Sequence, residues 1–315
     1  QATLLSIEPL LNSPPAHKRS DALTIRNNLS VSMARSGTLS ESIRRTDGVL
    51  AGFVSHVGPE AELSLKVMWF AADLRRQAGR YAECASLFEK LADLRAKVTG
   101  ETHLLTVDVF SKVASCAQLA GNEALAGKFL ARALAALPSS DTPPQRNVLR
   151  TLMTLQFVAM DRSEARLPPA LLPRAKAIAA ALNLPEATVE NMWLVAVGAS
   201  TASRAGESTA ALGAMDDIVA KVPAFTNVPS VRAWRAYLLV LDGQSERAKS
   251  DMQEVRKLAK LHYASEHPLY AVLDYVDALA ARPGDAMAAI AAHQVLEKAG
   301  GRKARLPLAP NWFAM

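Results

Sequence analysis

One short stretch recurs along the chain and decides the fold. Residues 71–84 read AADLRRQAGRYAEC, and residues 113–126 read VASCAQLAGNEALA. Each has a glycine at its ninth place, and these two glycines, Gly79 and Gly121, lie 42 residues apart. Residues 29–42, LSVSMARSGTLSES, repeat the arrangement another 42 residues earlier. A fixed period of this length is typical of a solenoid, in which each repeat is one small helical or stranded unit.

Each of these glycines lies between two helical stretches. Apolar side chains recur at helical spacing over residues 65–78, before Gly79, and again over residues 81–91, after it. Glycine accepts the positive φ that ends a helix and allows a tight turn into the next one, so the unit is a helical hairpin. Matching turns are predicted at four later positions: Ser163, Gly206, Gly243 and Gly284. We therefore predict an all-α chain of about seven hairpins, stacked as a single solenoid domain over residues 1–315.

The pattern resembles the tetratricopeptide repeat, which has small residues at its positions 8 and 20, where paired helices touch. When each turn glycine is set to position 15, position 8 is small in these residues: Ser30, Ala72, Ala114, Ala199 and Ala236. Position 20 is small in these residues: Ser42, Cys84, Ala126, Ala211, Ala248 and Ala289. The resemblance covers roughly residues 20–298 and implies a right-handed superhelix. A HEAT-like array shares a period of about 40–47 residues and is the alternative fold.

The long period is similar to that of the kinesin-light-chain type of tetratricopeptide repeat, whose helices are extended and whose linkers contain a histidine. Residues 100–103 (GETH) and 265–268 (SEHP) match such linkers. Prolines at 168, 169 and 173 lie where the second helix of the fourth unit should start, so we expect that hairpin to be broken or displaced. An irregular joint is therefore predicted at 138–175, and residues 299–315 are predicted to form a capping tail.

Composition excludes several classes of protein. Hydrophobic residues make up 50% of the chain and charged residues 21%, which argues against disorder. No run of about 18 apolar residues exists, so no membrane-spanning helix is expected. The net charge of +6 is spread over both halves, which gives no clustered surface for direct nucleic-acid binding. The two cysteines, Cys84 and Cys116, should lie on adjacent helices, where they could form a disulfide or remain buried thiols.

No catalytic or cofactor signature is present. The chain lacks the phosphate-binding glycine loops, the nucleophile elbow and the H-E-x-x-H metal pair. The closest histidines, His262 and His267, are five residues apart, which is the wrong spacing for a metal pair on one helix face. We therefore predict a protein that is not an enzyme and that uses no cofactor and no metal.

The resemblance also implies a binding surface, because positions 2, 5, 9, 12 and 13 of each first helix line the concave face of such an array. The candidate partner-binding residues at these positions are Asn27, Arg35, Lys66, Trp69, Asp73, Arg76, Gln77, Asp108, Ser111, Arg150 and Phe157. This mixture of cations, carboxylates and aromatic rings suits a protein or peptide partner with acidic and apolar residues. The alternative for Trp69 is that its ring packs against a neighbouring helix.

The predicted function is a protein–protein interaction or sensor domain without catalysis. Extended arrays of this kind resemble the C-terminal regions of bacterial Ser/Thr kinases and of winged-helix transcription regulators, which implies the regulatory part of a larger bacterial signalling protein. The alternative is a sensor whose small-molecule or peptide ligand binds inside the superhelix. Because the chain starts with Gln1, we expect further segments upstream. The compartment would be periplasmic with a membrane anchor there and cytoplasmic without one, and the oligomeric state is undetermined.

Overall fold

The computed structural model describes residues 19–35, 39–139, 141, 143–161, 171–184, 208–221, 229–262 and 269–281. Within these residues the chain forms twelve α-helices and no strand. The helices are α1 (Arg19–Arg35), α2 (Leu39–Val57), α3 (Glu62–Gln77), α4 (Tyr81–Thr99), α5 (Leu104–Leu119), α6 (Glu123–Ala136), α7 (Arg146–Asp161), α8 (Leu171–Ala181), α9 (Ser208–Lys221), α10 (Pro229–Leu241), α11 (Ser245–His262) and α12 (Leu269–Ala281).

Three hairpins share one turn geometry, which is built around the predicted glycines. Gly79, Gly121 and Gly243 have φ of 73°, 76° and 76°, in the left-handed region that favours glycine. In the first of these turns the Arg80 N–H donates to the Arg75 carbonyl at 2.8 Å, so the bond spans five residues. The other two turns repeat this bond, which is the Schellman arrangement that satisfies the last carbonyls of a helix.

The helices pack in the order of the chain, as in a solenoid. Five complete pairs are described: α1–α2, α3–α4, α5–α6, α7–α8 and α10–α11, and each packs its two helices together. First helices also pack on one another, as α5 does on α7 and α10 on α12. By register, α9 and α12 belong to the fifth and seventh units, whose other helices would fall on residues outside those described. The all-α solenoid predicted from the sequence is confirmed.

The small residues lie at the helix crossings, as expected. The described residues at positions 8 and 20 have no solvent exposure: Ser30, Ala72, Ala114, Ala236, Ser42, Cys84, Ala126, Ala211 and Ala248. In the first hairpin the Ser42 hydroxyl donates to the Ser30 carbonyl at 2.7 Å, which ties the two positions together. A larger side chain at such a crossing would have to push the helices apart.

Most of the apolar core is continuous. One cluster of buried side chains runs from Leu65 in α3 to Val276 in α12. A smaller cluster of Leu23, Val49, Phe53 and Val67 joins α1 and α2 to α3.

The fourth hairpin is described only in part. Since α4 and α6 start 42 residues apart, at Tyr81 and Glu123, the next second helix is due near residue 165, which lies outside the described residues, and α8 is described from Leu171. Pro173 lies in the first turn of α8, where proline is tolerated because the N–H groups of that turn have no partner within the helix. The joint at 138–175 as a domain feature stays a prediction, and the tail 299–315 lies outside the described residues. Among the described helices, none is long and apolar enough to cross a membrane.

Candidate partner-binding groove

The last turn of α3 carries three of the candidate residues in one hydrogen-bonded group. The Asp73 carboxylate accepts a bond from Arg76 Nε at 2.8 Å and another from Gln77 Nε2 at 2.8 Å. Helical spacing of three and four residues places these side chains on the same face. Asp73 is only 8% exposed and Arg76 only 6%, so this ion pair lies inside the packing.

Two other candidates lie nearer the start of α3. The Trp69 ring is half-buried, rests on the main core and meets the Phe88 ring edge-on, with centroids 6.0 Å apart and an interplanar angle of 75°. Lys66 is exposed, and its ammonium lies 3.6 Å from the Glu62 carboxylate on the same helix. Trp69 therefore combines the two roles considered from the sequence: part of its surface packs on a neighbouring helix and part remains accessible.

Helix α5 contributes Asp108 and Ser111, and also a residue that the sequence analysis did not select. Ser111 is fully buried, and its hydroxyl donates to the Asp108 carbonyl at 2.7 Å. Lys112 is the missed residue: it is half-buried and lies four residues after Asp108, on the same helix face. The Asp108-to-Lys112 spacing was the signal that could have identified it.

Lys112 lies within electrostatic range of charged groups from three helices. Burial lowers the pKa of Lys112, while the carboxylates of Asp108 and Asp73 act to raise it and the guanidinium groups of Arg76 and Arg150 act to lower it further. We call these five residues the groove cluster. It combines three cations and two carboxylates from α3, α5 and α7, and the buried ammonium has lost part of its hydration.

Helix α7 supplies the outer edge of the groove cluster. Arg150 is exposed, and its carbonyl accepts a bond from the Thr154 hydroxyl at 3.0 Å. Met153, at repeat position 5 of this unit, is fully buried. Phe157 lies in α7, and Arg35 is the last residue of α1, but both side chains are outside the described part of the chain.

Asn27 belongs to a different part of the molecule. It lies in α1 and is half-buried, and its Oδ1 has no hydrogen-bond partner among the described residues. No described contact joins it to the groove cluster. The structure therefore brings together four of the predicted residues, Asp73, Arg76, Asp108 and Arg150, around the missed Lys112.

Two buried arginines, one on α3 and one on α4, link the helices around the groove. Arg75 donates to the Asp47 carboxylate at 2.9 Å and to the Glu83 carboxylate at 3.2 Å, which links α3 to α2 and α4. Burial alone would lower the pKa of Arg75, but its hydrogen bonds to the two carboxylates raise it overall. Arg95 in α4 is held in a similar way by two bonds to Glu62, at 2.6 and 3.2 Å.

The described part of the chain also contains a cavity of about 420 Å³ at the junction of α6 and α7. It is lined by residues 135–139, by Thr102 and Leu104 near the start of α5, and by residues such as Asp141 and Val148. None of the predicted groove residues lines it. No group of three or more potential metal ligands occurs among the described residues.

Comparison with known proteins identifies the repeat. Residues 63–139 match the sequence model of the family described as "Tetratricopeptide repeat", and they span α3 to α6. No curated protein matches the chain. Tetratricopeptide repeats generally mediate protein–protein interaction, and the family is typically not catalytic. By this match, residues 63–139 form tetratricopeptide repeats rather than the HEAT-like alternative.

Proposed function

We propose that the chain is a protein-interaction module that binds a segment of its partner along the first helices α3, α5 and α7. The observation that carries the proposal is the groove cluster, in which Lys112 is partly desolvated among two arginines and two carboxylates. With three cations against two carboxylates, the cluster has one excess positive charge. A carboxylate from a partner would interact favourably with this positive charge and stabilise the charged form of Lys112.

Trp69 supplies an apolar anchor beside these charges. Its ring is held in place by Phe88 and is only half-buried, so it presents a fixed apolar surface at little entropic cost. The partner segment that fits both features carries acidic residues and one large apolar side chain. Because the attraction between these cations and an acidic partner is screened by salt, the affinity should fall as the salt concentration rises.

The direct test uses an array of short synthetic peptides in which Asp, Glu, Leu and Phe are permuted, probed with the full chain at low and at high salt. We expect retention of peptides that combine acidic and apolar residues, and loss of retention when Asp and Glu are replaced by Asn and Gln. Equal retention of acidic peptides and their amide counterparts would contradict the proposal.

A matched pair of variants separates the groove from general charge effects. Lys112→Met removes the central cation of the groove cluster, whereas Lys90→Met removes an exposed cation from α4, a second helix. We expect Lys112→Met to lower the affinity for an acidic peptide about tenfold or more, as for the loss of one charged hydrogen bond. Lys90→Met should leave the affinity unchanged, and equal losses for both variants would place the site elsewhere.

We also propose that these repeats form the regulatory part of a larger bacterial signalling protein, such as a Ser/Thr kinase or a transcription regulator. The support is the resemblance of the long repeats to arrays in such proteins. Reading the coding sequence upstream of Gln1 in the source genome tests it. A kinase or winged-helix region there would support the proposal, and an unrelated catalytic domain would contradict it.

A further inference from the structure

The two cysteines of the chain are joined to each other. Cys84 in α4 and Cys116 in α5 form a disulfide, with their Cα atoms 5.9 Å apart. That separation lies within the usual range for disulfides, so the two helices need no displacement to accommodate the bond. No free cysteine remains, because the chain contains only these two.

Packing alone does not require cysteine at either position. Cys84 occupies repeat position 20, where other hairpins have Ala126 and Ala248 with no exposure. Cys116 occupies position 10, where other first helices have Leu74 and Val158, also with no exposure. Ordinary apolar residues therefore fill both places elsewhere in the same fold, and only here do two thiols meet.

The bond lies next to the groove. Cys116 follows Lys112 by four residues on α5, the central of the three helices that carry the groove cluster. Both cysteines have zero exposure, so a reductant can reach the sulfur atoms only when the helices separate. A disulfide formed during folding would for this reason persist in the native protein.

We propose that the Cys84–Cys116 disulfide is a permanent clamp that holds α4 against the central groove helix, and that these repeats mature in an oxidising compartment. Such compartments are where protein disulfides form and persist. In the step that forms the clamp, the two thiols lose two protons and two electrons to a disulfide-bearing oxidant, which becomes a dithiol. This inference does not depend on the groove binding any partner.

The test compares the full chain produced in the bacterial periplasm with the same chain produced in the bacterial cytoplasm. Each sample is denatured in guanidinium with iodoacetamide, and its intact mass is measured. We expect the periplasmic chain to take up no alkyl group and the cytoplasmic chain to take up two. Two alkyl groups on the periplasmic chain would overturn the proposal.

Thermal melts then measure what the clamp contributes. Because it closes a loop of 32 residues, breaking it should lower the melting temperature by roughly 5–10 °C. The control variant Cys84→Ala/Cys116→Val uses the residues that other hairpins have at these positions. It should melt near the reduced wild type and not respond to reductant. Equal melting temperatures for the oxidised and reduced wild type would overturn the clamp even if the variant failed to fold.

Discussion

Two parts of the solenoid hold the same balance of charges in different arrangements. The groove cluster on α3, α5 and α7 has three cations and two carboxylates, and a second cluster on α9, α10 and α11 has the same numbers. The members of the second cluster are Asp216, Arg232, Arg235, Arg247 and Asp251. In the second cluster each carboxylate contacts two arginines, and Arg235 bridges both carboxylates, at 2.7 Å to Asp216 and 2.5 Å to Asp251.

The two clusters differ in which charged group burial destabilises. In the second cluster it is a carboxylate: burial raises the pKa of Asp251, although Arg235 and Arg232 act to lower it. In the groove cluster it is a cation, Lys112, whose pKa burial lowers. An anion that binds beside the groove cluster would stabilise the charged form of Lys112, whereas an anion beside the second cluster would further destabilise the buried carboxylate of Asp251. We propose on this comparison that the second cluster serves stability and the first serves binding.

The largest expected effect is on the second cluster. Asp251→Ala leaves the partly buried guanidinium groups of Arg232 and Arg235 without this carboxylate, and we expect a loss of about 3 kcal/mol in the free energy of unfolding. Urea denaturation measures it. The control is Glu246→Ala on the same helix, whose side chain is 87% exposed and should matter by less than about 0.5 kcal/mol. A loss below about 1 kcal/mol for Asp251→Ala would remove the distinction between the clusters.

The next largest effect is expected where the two helices of a hairpin cross, and it should be the same in both parts of the solenoid. Ala126 in α6 and Ala248 in α11 both occupy repeat position 20, and neither is exposed. Ala126→Leu and Ala248→Leu should each overpack a helix crossing and cost roughly 1–3 kcal/mol. Melting curves of both variants test this. An unaffected melt for only one of them would show that the register derived for that region is wrong.

A smaller effect is expected for Lys112. Because the cost of burying its charge offsets the interactions that it makes, Lys112→Met should change the free energy of unfolding by less than about 1 kcal/mol at neutral pH. Its pKa is lower in the folded chain than its ordinary value of 10.5, so the folded state binds fewer protons in that window. The wild type should therefore gain stability relative to Lys112→Met as pH rises toward 10.5, in parallel urea titrations at several pH values. If the wild type instead loses stability relative to Lys112→Met over this pH range, folding favours the charged form of Lys112 and the prediction is wrong.

The smallest effect concerns acid, and part of it should come from two carboxylates in the first hairpins. Hydrogen bonds from Arg44 and Arg45 lower the pKa of Glu41 from 4.5 to about 2, and a bond from Arg95 lowers the pKa of Glu62. The stability that these carboxylates contribute is fully present above pH 4.5 and is lost as pH falls toward 2. Glu41→Gln should flatten this acid dependence slightly relative to the wild type. If the melting temperature of Glu41→Gln falls with decreasing pH as steeply as that of the wild type, Glu41 does not contribute this stability.

The sequence predicted the frame of the fold better than the site. The turn glycines and the small residues at the crossings follow from local sterics, so the repeat pattern alone was enough to place Gly79, Gly121 and Ala126. The burial of Asp73 and Arg76 could not be predicted, because it depends on how closely consecutive first helices approach. Lys112 was missed because the helix face was selected by five fixed repeat positions, and the charge at position 6 lies just outside them.

The central claim is that one cluster serves binding and the other serves stability, and a crossed measurement tests it most directly. Lys112→Met and Asp251→Ala are each measured twice: by urea unfolding, and by calorimetric titration with an acidic peptide retained by the array. Lys112→Met should lose about tenfold or more in affinity and keep its stability, whereas Asp251→Ala should lose about 3 kcal/mol of stability and keep its affinity while folded. If Lys112→Met instead binds the peptide as tightly as the wild type and unfolds more easily by about 2 kcal/mol, both clusters are structural and the groove assignment is wrong.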